Sequence, residues 1–226
     1  MSAPSTTFHW RETELFFTRE CREYNYGLEP EGRWFQAGSR RFHPPRVFPI
    51  PSGCRTPIDY LTSLGEAPGE HLLILMQAGA ASLGRFRKGE CLATKSFKRY
   101  VVRGRGRAQP THLKSKGKSR YGSRLRLQNA QRLLDETSEH LHNWQAEFGS
   151  PDHIFTSCPV RLWPSLFQAT PPPPFGKDGP FLRIPKDLPR PTTDVLLRAY
   201  IGLSHGRLDV GPPASSGSGE KASELR

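Results

Sequence analysis

"HLLILMQAGAASLGRFRKGECLATKSFK", residues 71–98, decides the fold class. Leu72 to Met76 is an unbroken apolar run closed by Gly79. A strand with one wet face would alternate, so this run predicts a strand buried on both faces. Two alternating, β-prone segments follow and meet at Lys88-Gly89, a turn dipeptide, which predicts a hairpin. Downstream, from Ser119, Leu127, Leu134 and Leu141 recur at helical spacing with Ala130, Leu133 and Phe148 near the same stripe. This predicts a long amphipathic helix packed on the core and ending at Gly149-Ser150. "DHIFTSC" (152–158) reads as a further strand and "VRLWPSLFQ" (160–168) as a brief helix. Alternation of strand and helix means α/β: a mixed β-sheet with flanking helices, Leu72 to Met76 inside it and the hairpin on one side.

The ends of the chain are less regular. Residues 1–55 are aromatic, charged and interrupted by Pro and Gly, and are read as an irregular N-terminal extension with a short helix near Arg11 to Tyr24. Its Trp10, Phe16, Phe17, Trp34 and Phe35 are too many large apolar groups for a free tail and are expected to pack on the domain. Thr56 is placed as an N-cap with Pro57 at the first helical position, opening a helix that Gly65 ends. The segment 170–191 is Pro-rich and extended, too interrupted for a central strand. A last helix is capped near Thr192 or Thr193, and 209–226 reads as a disordered tail. The domain expectation is therefore an extension over 1–55, one domain over 56–208 and a tail.

Charge is concentrated in one place. Of a net +12, the stretch 95–126 contributes twelve cations and no acid: Lys95, Lys98, Arg99, Arg103, Arg105, Arg107, Lys114, Lys116, Lys118, Arg120, Arg124 and Arg126. Elsewhere the charges nearly cancel. Such a run points to a polyanion, because each phosphate neutralised releases condensed counterions; a solvated basic face is the plain alternative. The arginines of the first helical turns extend the patch to a helix N-terminus, where the backbone dipole also favours phosphate.

Other chemistry is poorly supported. Cys21, Cys54, Cys91 and Cys158 form no CxxC pair and have no histidine at ligand spacing, so neither a metal nor a cofactor is expected, and free thiols suit a reducing cytosol. His140 and His142, two apart on a helix, point to different faces. There is no GxSxG, HExxH or P-loop pattern, and the basic stretch lacks the carboxylates of a two-metal nuclease. No apolar run approaches bilayer length, so no membrane partner is expected.

What stands out is Gly106-Arg107-Ala108-Gln109, one neutral amide amid the cations. Glycine permits close approach of backbone to ribose and phosphate. An amide both donates and accepts, so it can orient a water without titrating. For an ester between peptide and tRNA ribose, placing that water and stabilising the oxyanion are the main tasks. A four-residue pattern with two fixed positions is weak on its own.

In context it is more specific. "ATKSFKRYVVRGRGRAQPTHLKSKGKSRYGSRLR" (93–126), followed by a long helix, resembles the catalytic domain of the Vms-type (VLRF) release factors, relatives of the middle domain of the eukaryotic class I release factor. The likeness continues into "PFGKDGPFLRIPKDLPRPTTDVLL" and covers roughly residues 70–205. It implies a release-factor middle-domain, RNase H-like sheet, with Gln109 matching the family's catalytic glutamine and Gly106 the glycine that lets the loop bend. It further implies a ribosome-associated peptidyl-tRNA hydrolase of the cytoplasm, acting in ribosome quality control on stalled large ribosomal subunits with peptidyl-tRNA and rRNA as partners. Arg107 and Ala108 replace the adjacent glycines of the class I factor, which favours rescue over stop-codon termination. Without the zinc finger and ankyrin repeats of eukaryotic members, the expectation is a stand-alone bacterial version, a monomer when free. Cleavage near the tRNA 3′ end by the same loop, and a non-catalytic rRNA-binding or ribosome-assembly role, are the alternatives.

Overall fold

A computed structural model describes residues 5–101, 118–179 and 181–211, with 118–123 as backbone only. The chain divides into two units, Met1–Glu66 with Leu203–Arg226, and Ala67–Gly202.

The first unit corrects the reading of residues 1–55 as irregular. It contains β1 (Ser5–His9), a short 3-10 turn, α1 (Thr13–Glu23), β2 (Gly27–Leu28), β3 (Phe35–Ala37), β4 (Arg40–His43) and α2 (Pro57–Ser63). The expected cap of α2 is present: Asp59 N donates to Thr56 Oγ1 at 3.2 Å, and Thr56 N donates to Asp59 Oδ2 at 2.9 Å. These four strands close into an antiparallel sheet only because a distant segment of the chain, given below as β10, inserts between β1 and β4. The aromatic residues make this unit's own core. Phe17 and Phe42 stack with centroids 3.8 Å apart, and Phe8, Phe35 and Tyr60 close around them. A carboxylate is buried beside them, held by two donors: Arg40 at 2.7 Å and the Tyr26 hydroxyl at 2.9 Å from Glu20 Oε2. The two units meet in sequence at Glu66/Ala67, so α2 groups with the first of them.

The second unit holds β5 (Glu70–Gln77), β6 (Ala80–Arg87), β7 (Glu90–Lys98), α3 (Lys118–Phe148), β8 (His153–Ser157), α4 (Trp163–Leu166), β9 (Phe181–Arg183) and α5 (Thr193–Leu203), after which β10 (His205–Val210) returns to the first unit. Its sheet has the order β7-β6-β5-β8-β9; β5, β6 and β7 pair antiparallel, while β5, β8 and β9 run parallel. The fold is thus α/β with a mixed sheet. The hairpin turn has Lys88 at φ 52° and Gly89 at φ 83°, the two positive values that a type I′ turn requires. Leu72, Ile74 and Met76 face Leu133, Leu134, Leu141 and Trp144 of α3. On the opposite face, Phe86 stacks on Tyr200 of α5 at 3.6 Å, and Gly84 leaves room for Leu196, whose Cδ2 lies 2.5 Å from where a Cβ would stand. Helices on both sides explain why β5 is apolar on both faces.

Two polar groups are locked into these layers. Arg85 is 2% exposed; its Nη2 donates to Glu70 Oε2 at 3.1 Å and to the last carbonyls of α3, Phe148 O at 3.3 Å and Gly149 O at 3.0 Å. It therefore ties β6 to the end of α3 and satisfies carbonyls that the helix cannot. Arg85→Ala is expected to cost about 2–3 kcal/mol in urea unfolding, with Arg85→Met recovering the packing part but not the cap.

His71 is fully buried, its Nδ1 3.2 Å from the Tyr200 hydroxyl. Burial, with His153 nearby, pushes its pKa down to about 4. The fold thus needs the neutral ring. Above about pH 6.5 the unfolded chain is neutral too and nothing is lost. As pH falls from 6.5 towards 4, the unfolded chain gains a proton that the folded one refuses, and stability declines by on the order of 3 kcal/mol. The melting temperature should fall across that window and flatten below it; His71→Gln should remove most of this slope.

Candidate nucleic-acid interface

The direction of the strands brings the relevant segments together. β7 lies two antiparallel steps from β5 and so runs the same way; β5, β7, β8 and β9 all end, at Gln77, Lys98, Ser157 and Arg183, on one edge of the sheet. The basic connection leaves from that edge.

Its root is firmly held. Gly79, at φ +78°, turns β5 into β6, and a Cβ there would stand 2.6 Å from Arg99 O and 2.7 Å from Val101 Cγ2. Only glycine accommodates both the left-handed turn and the passing chain. Arg99 N donates to Gly79 O at 3.0 Å, and Arg190 Nη2 donates to the same carbonyl at 3.2 Å. From the helix side, Asn129 Nδ2 donates to Tyr100 O at 2.9 Å, and the Arg99 guanidinium pairs with Glu136, Nε to Oε2 at 3.2 Å. Arg99 and Tyr100, the first residues after β7, are therefore strapped to a turn on one side and to α3 on the other.

Beyond this root, α3 outruns the sheet. Thirty-one residues make a helix of about 46 Å, whereas an eight-residue strand spans about 26 Å. The excess falls before Asn129, where roughly 16 Å of helix overhangs the edge. This corrects the expected core stripe: Leu133, Leu134 and Leu141 are buried, but Leu127, assigned to the same stripe, is 71% exposed, and none of the described strands packs on it. Leu125 is 38% exposed and lies one turn from Asn129 on the same helix face, while Tyr100 is 57% exposed at the root. Apolar groups thus interleave with cations, the composition that lets bases stack where phosphates are neutralised.

The predicted site residues fall into three groups. Lys95 and Lys98 are exposed on β7, Arg99 is half-buried in its ion pair with Glu136, and Arg124 is exposed and Arg126 half-buried on α3. Lys118 and Arg120 lie in the first turns of α3. Arg103, Arg105, Gly106, Arg107, Gln109, Lys114 and Lys116 lie outside the described residues. Sequence reasoning missed the positioning residues Asn129 and Glu136, which look like ordinary helix-surface residues, and the polar strap 183–190. The mixed α/β sheet it inferred could have pointed to that strap, since clefts form outside the carboxyl ends of parallel strands. Among the described residues no cluster of His, Cys, Asp or Glu could hold a metal ion, and no helix is long and apolar enough to cross a membrane.

The architecture is similar to a solved structure described as "Vms1 mitochondrial localization core", with 17% identity, a TM-score of 0.52, and coverage of 90% of this chain and 85% of that one. That likeness shows the fold. No curated protein matches the chain. The family described as "Bacteroidetes VLRF1 release factor" matches residues 71–209, and the chain belongs to it.

Proposed function

We propose that this release factor frees nascent chains from stalled large ribosomal subunits by hydrolysing the ester of peptidyl-tRNA, with Gln109 orienting the water and Gly106 allowing the loop to bend. Membership of a release-factor family places the protein in translation, with ribosome and tRNA as its partners. The observation that carries the finer reading is the strapped root at Arg99–Val101. Gly79, Asn129 and Glu136 fix the point from which the connection departs, and chemistry by placement requires an anchored starting point. Lys95, Lys98, Arg124 and Arg126, with Arg103, Arg105, Arg107, Lys114, Lys116, Lys118 and Arg120, supply the phosphate-binding charge.

The deciding experiment is peptide release from stalled peptidyl-tRNA on isolated large subunits, with the tRNA terminus mapped. An intact CCA end marks ester hydrolysis. A shortened end would mean nuclease action and reject the hydrolase assignment.

A further inference from the structure

On the same sheet edge the described residues enclose a cleft of about 490 Å³. Its floor is the ends of β5 and β8, at Gln77 and Ser157, and its wall is the strap after β9. The strap is fixed in place. Ile184 N donates to Thr156 O at 2.9 Å, Gln77 Nε2 donates to Leu188 O at 2.9 Å and to Pro189 O at 3.3 Å, and Pro185 and Pro189 restrict the backbone between. The cleft is therefore preformed, and its volume lies in the range of sites for single small ligands or monomer units.

Its chemistry is that of a nucleotide site. Arg183 and Lys186 are exposed on the strap and outnumber the carboxylate of Asp187, so the rim favours an anion. Beside them the exposed rings of Pro159 and Pro185 offer an apolar surface, suited to the face of a base whose phosphate meets the cations. The position agrees: the crevice outside the carboxyl ends of parallel strands is where α/β sheets hold ligands. Strap and loop root also share one atom, since Gly79 O accepts from both Arg190 and Arg99 N.

We infer that this cleft seats a nucleotide of single-stranded RNA, which on the function proposed above is the 3′ end of the tRNA, beside the root of the basic connection. The cleft thereby sets the register of the substrate relative to that root.

The test uses the full chain and a labelled single-stranded RNA ending in CCA, which carries no ester to turn over, against a duplex of similar length. Arg183→Glu with Lys186→Glu should raise the Kd for the single strand about tenfold or more while moving the duplex less than about twofold. Cys158 lines the cleft, whereas Cys91 is exposed at the far end of β7. RNA should slow alkylation of Cys158 several-fold and leave Cys91 unaffected. An unchanged single-strand Kd in a variant with an unaltered melting temperature overturns the inference. So does Cys158 labelling that RNA leaves unchanged, or that adenosine monophosphate slows and RNA does not. The two proposals fail separately. A shortened tRNA end in the release assay would remove the hydrolase assignment and leave the cleft standing, whereas an indifferent cleft would leave the hydrolase untouched.

Discussion

Gln109→Ala is expected to lower the turnover of peptide release by roughly 10²–10³-fold, the loss typical of removing one preorganised donor at a developing oxyanion. Binding to large subunits should change little. The reasoning is that a neutral amide among so many cations adds almost nothing to affinity, which phosphate neutralisation supplies, but adds direction that a lysine cannot. Gln109→Glu is the sharper variant: it keeps size and acceptor but loses the donors and places a negative charge beside the ester. If it is as inactive as Gln109→Ala, donation matters; if Gln109→Ala releases peptide at the unaltered rate, the residue has no part in the mechanism. Single-turnover kinetics with saturating protein separate this from a binding defect, since the loss should stay in kcat.

How much of this could be read from the chain depends on how local the cause is. The buried strand, the hairpin turn at Lys88-Gly89, the cap at Thr56 and the helix end at Gly149 are each decided within a few residues, and each lies where its local chemistry demands. The first unit was opaque for the opposite reason. Its strands are two to six residues long and β1 joins β4 only through β10, so that Phe42 meets Leu208 across 166 positions of the chain (208 less 42). Nothing in the spacing of Phe8, Phe17 and Phe35 announces a partner so distant. Leu127 misled because periodicity reports which face of a helix is apolar, but not whether anything lies beneath that face. The basic patch was plain, whereas its anchors were hidden: Glu136 and Asn129 are ordinary surface types until the end of β7 is seen beside them. The sequence also made Arg99 simply one more cation, and its pairing with Glu136 adds a structural task at the root.

That division of labour among the cations leads to the second large effect. Reversing Lys114, Lys116 and Lys118 together to glutamate should weaken association with large subunits on the order of 10³-fold near physiological salt, because removal of each contact takes close to one unit from the slope of log K against log salt and reversal adds repulsion. Arg99→Ala should behave differently. Its guanidinium is engaged with Glu136, so its loss should leave the salt slope almost unchanged and lower kcat by loosening the root. Glu136→Gln, which keeps a hydrogen-bond acceptor for Arg99, should retain more activity than Glu136→Ala. A non-catalytic rRNA-binding protein would show the lysine effect alone, with glutamine and root variants silent. A release factor must show charge variants that move affinity with salt, and Gln109 and Arg99 variants that move turnover without it. Titration of salt from 50 to 200 mM, with binding and release measured on the same samples, separates the two: loss confined to the lysine variants, with Gln109 and Arg99 variants indistinguishable from the parent, would mean that the loop only holds RNA.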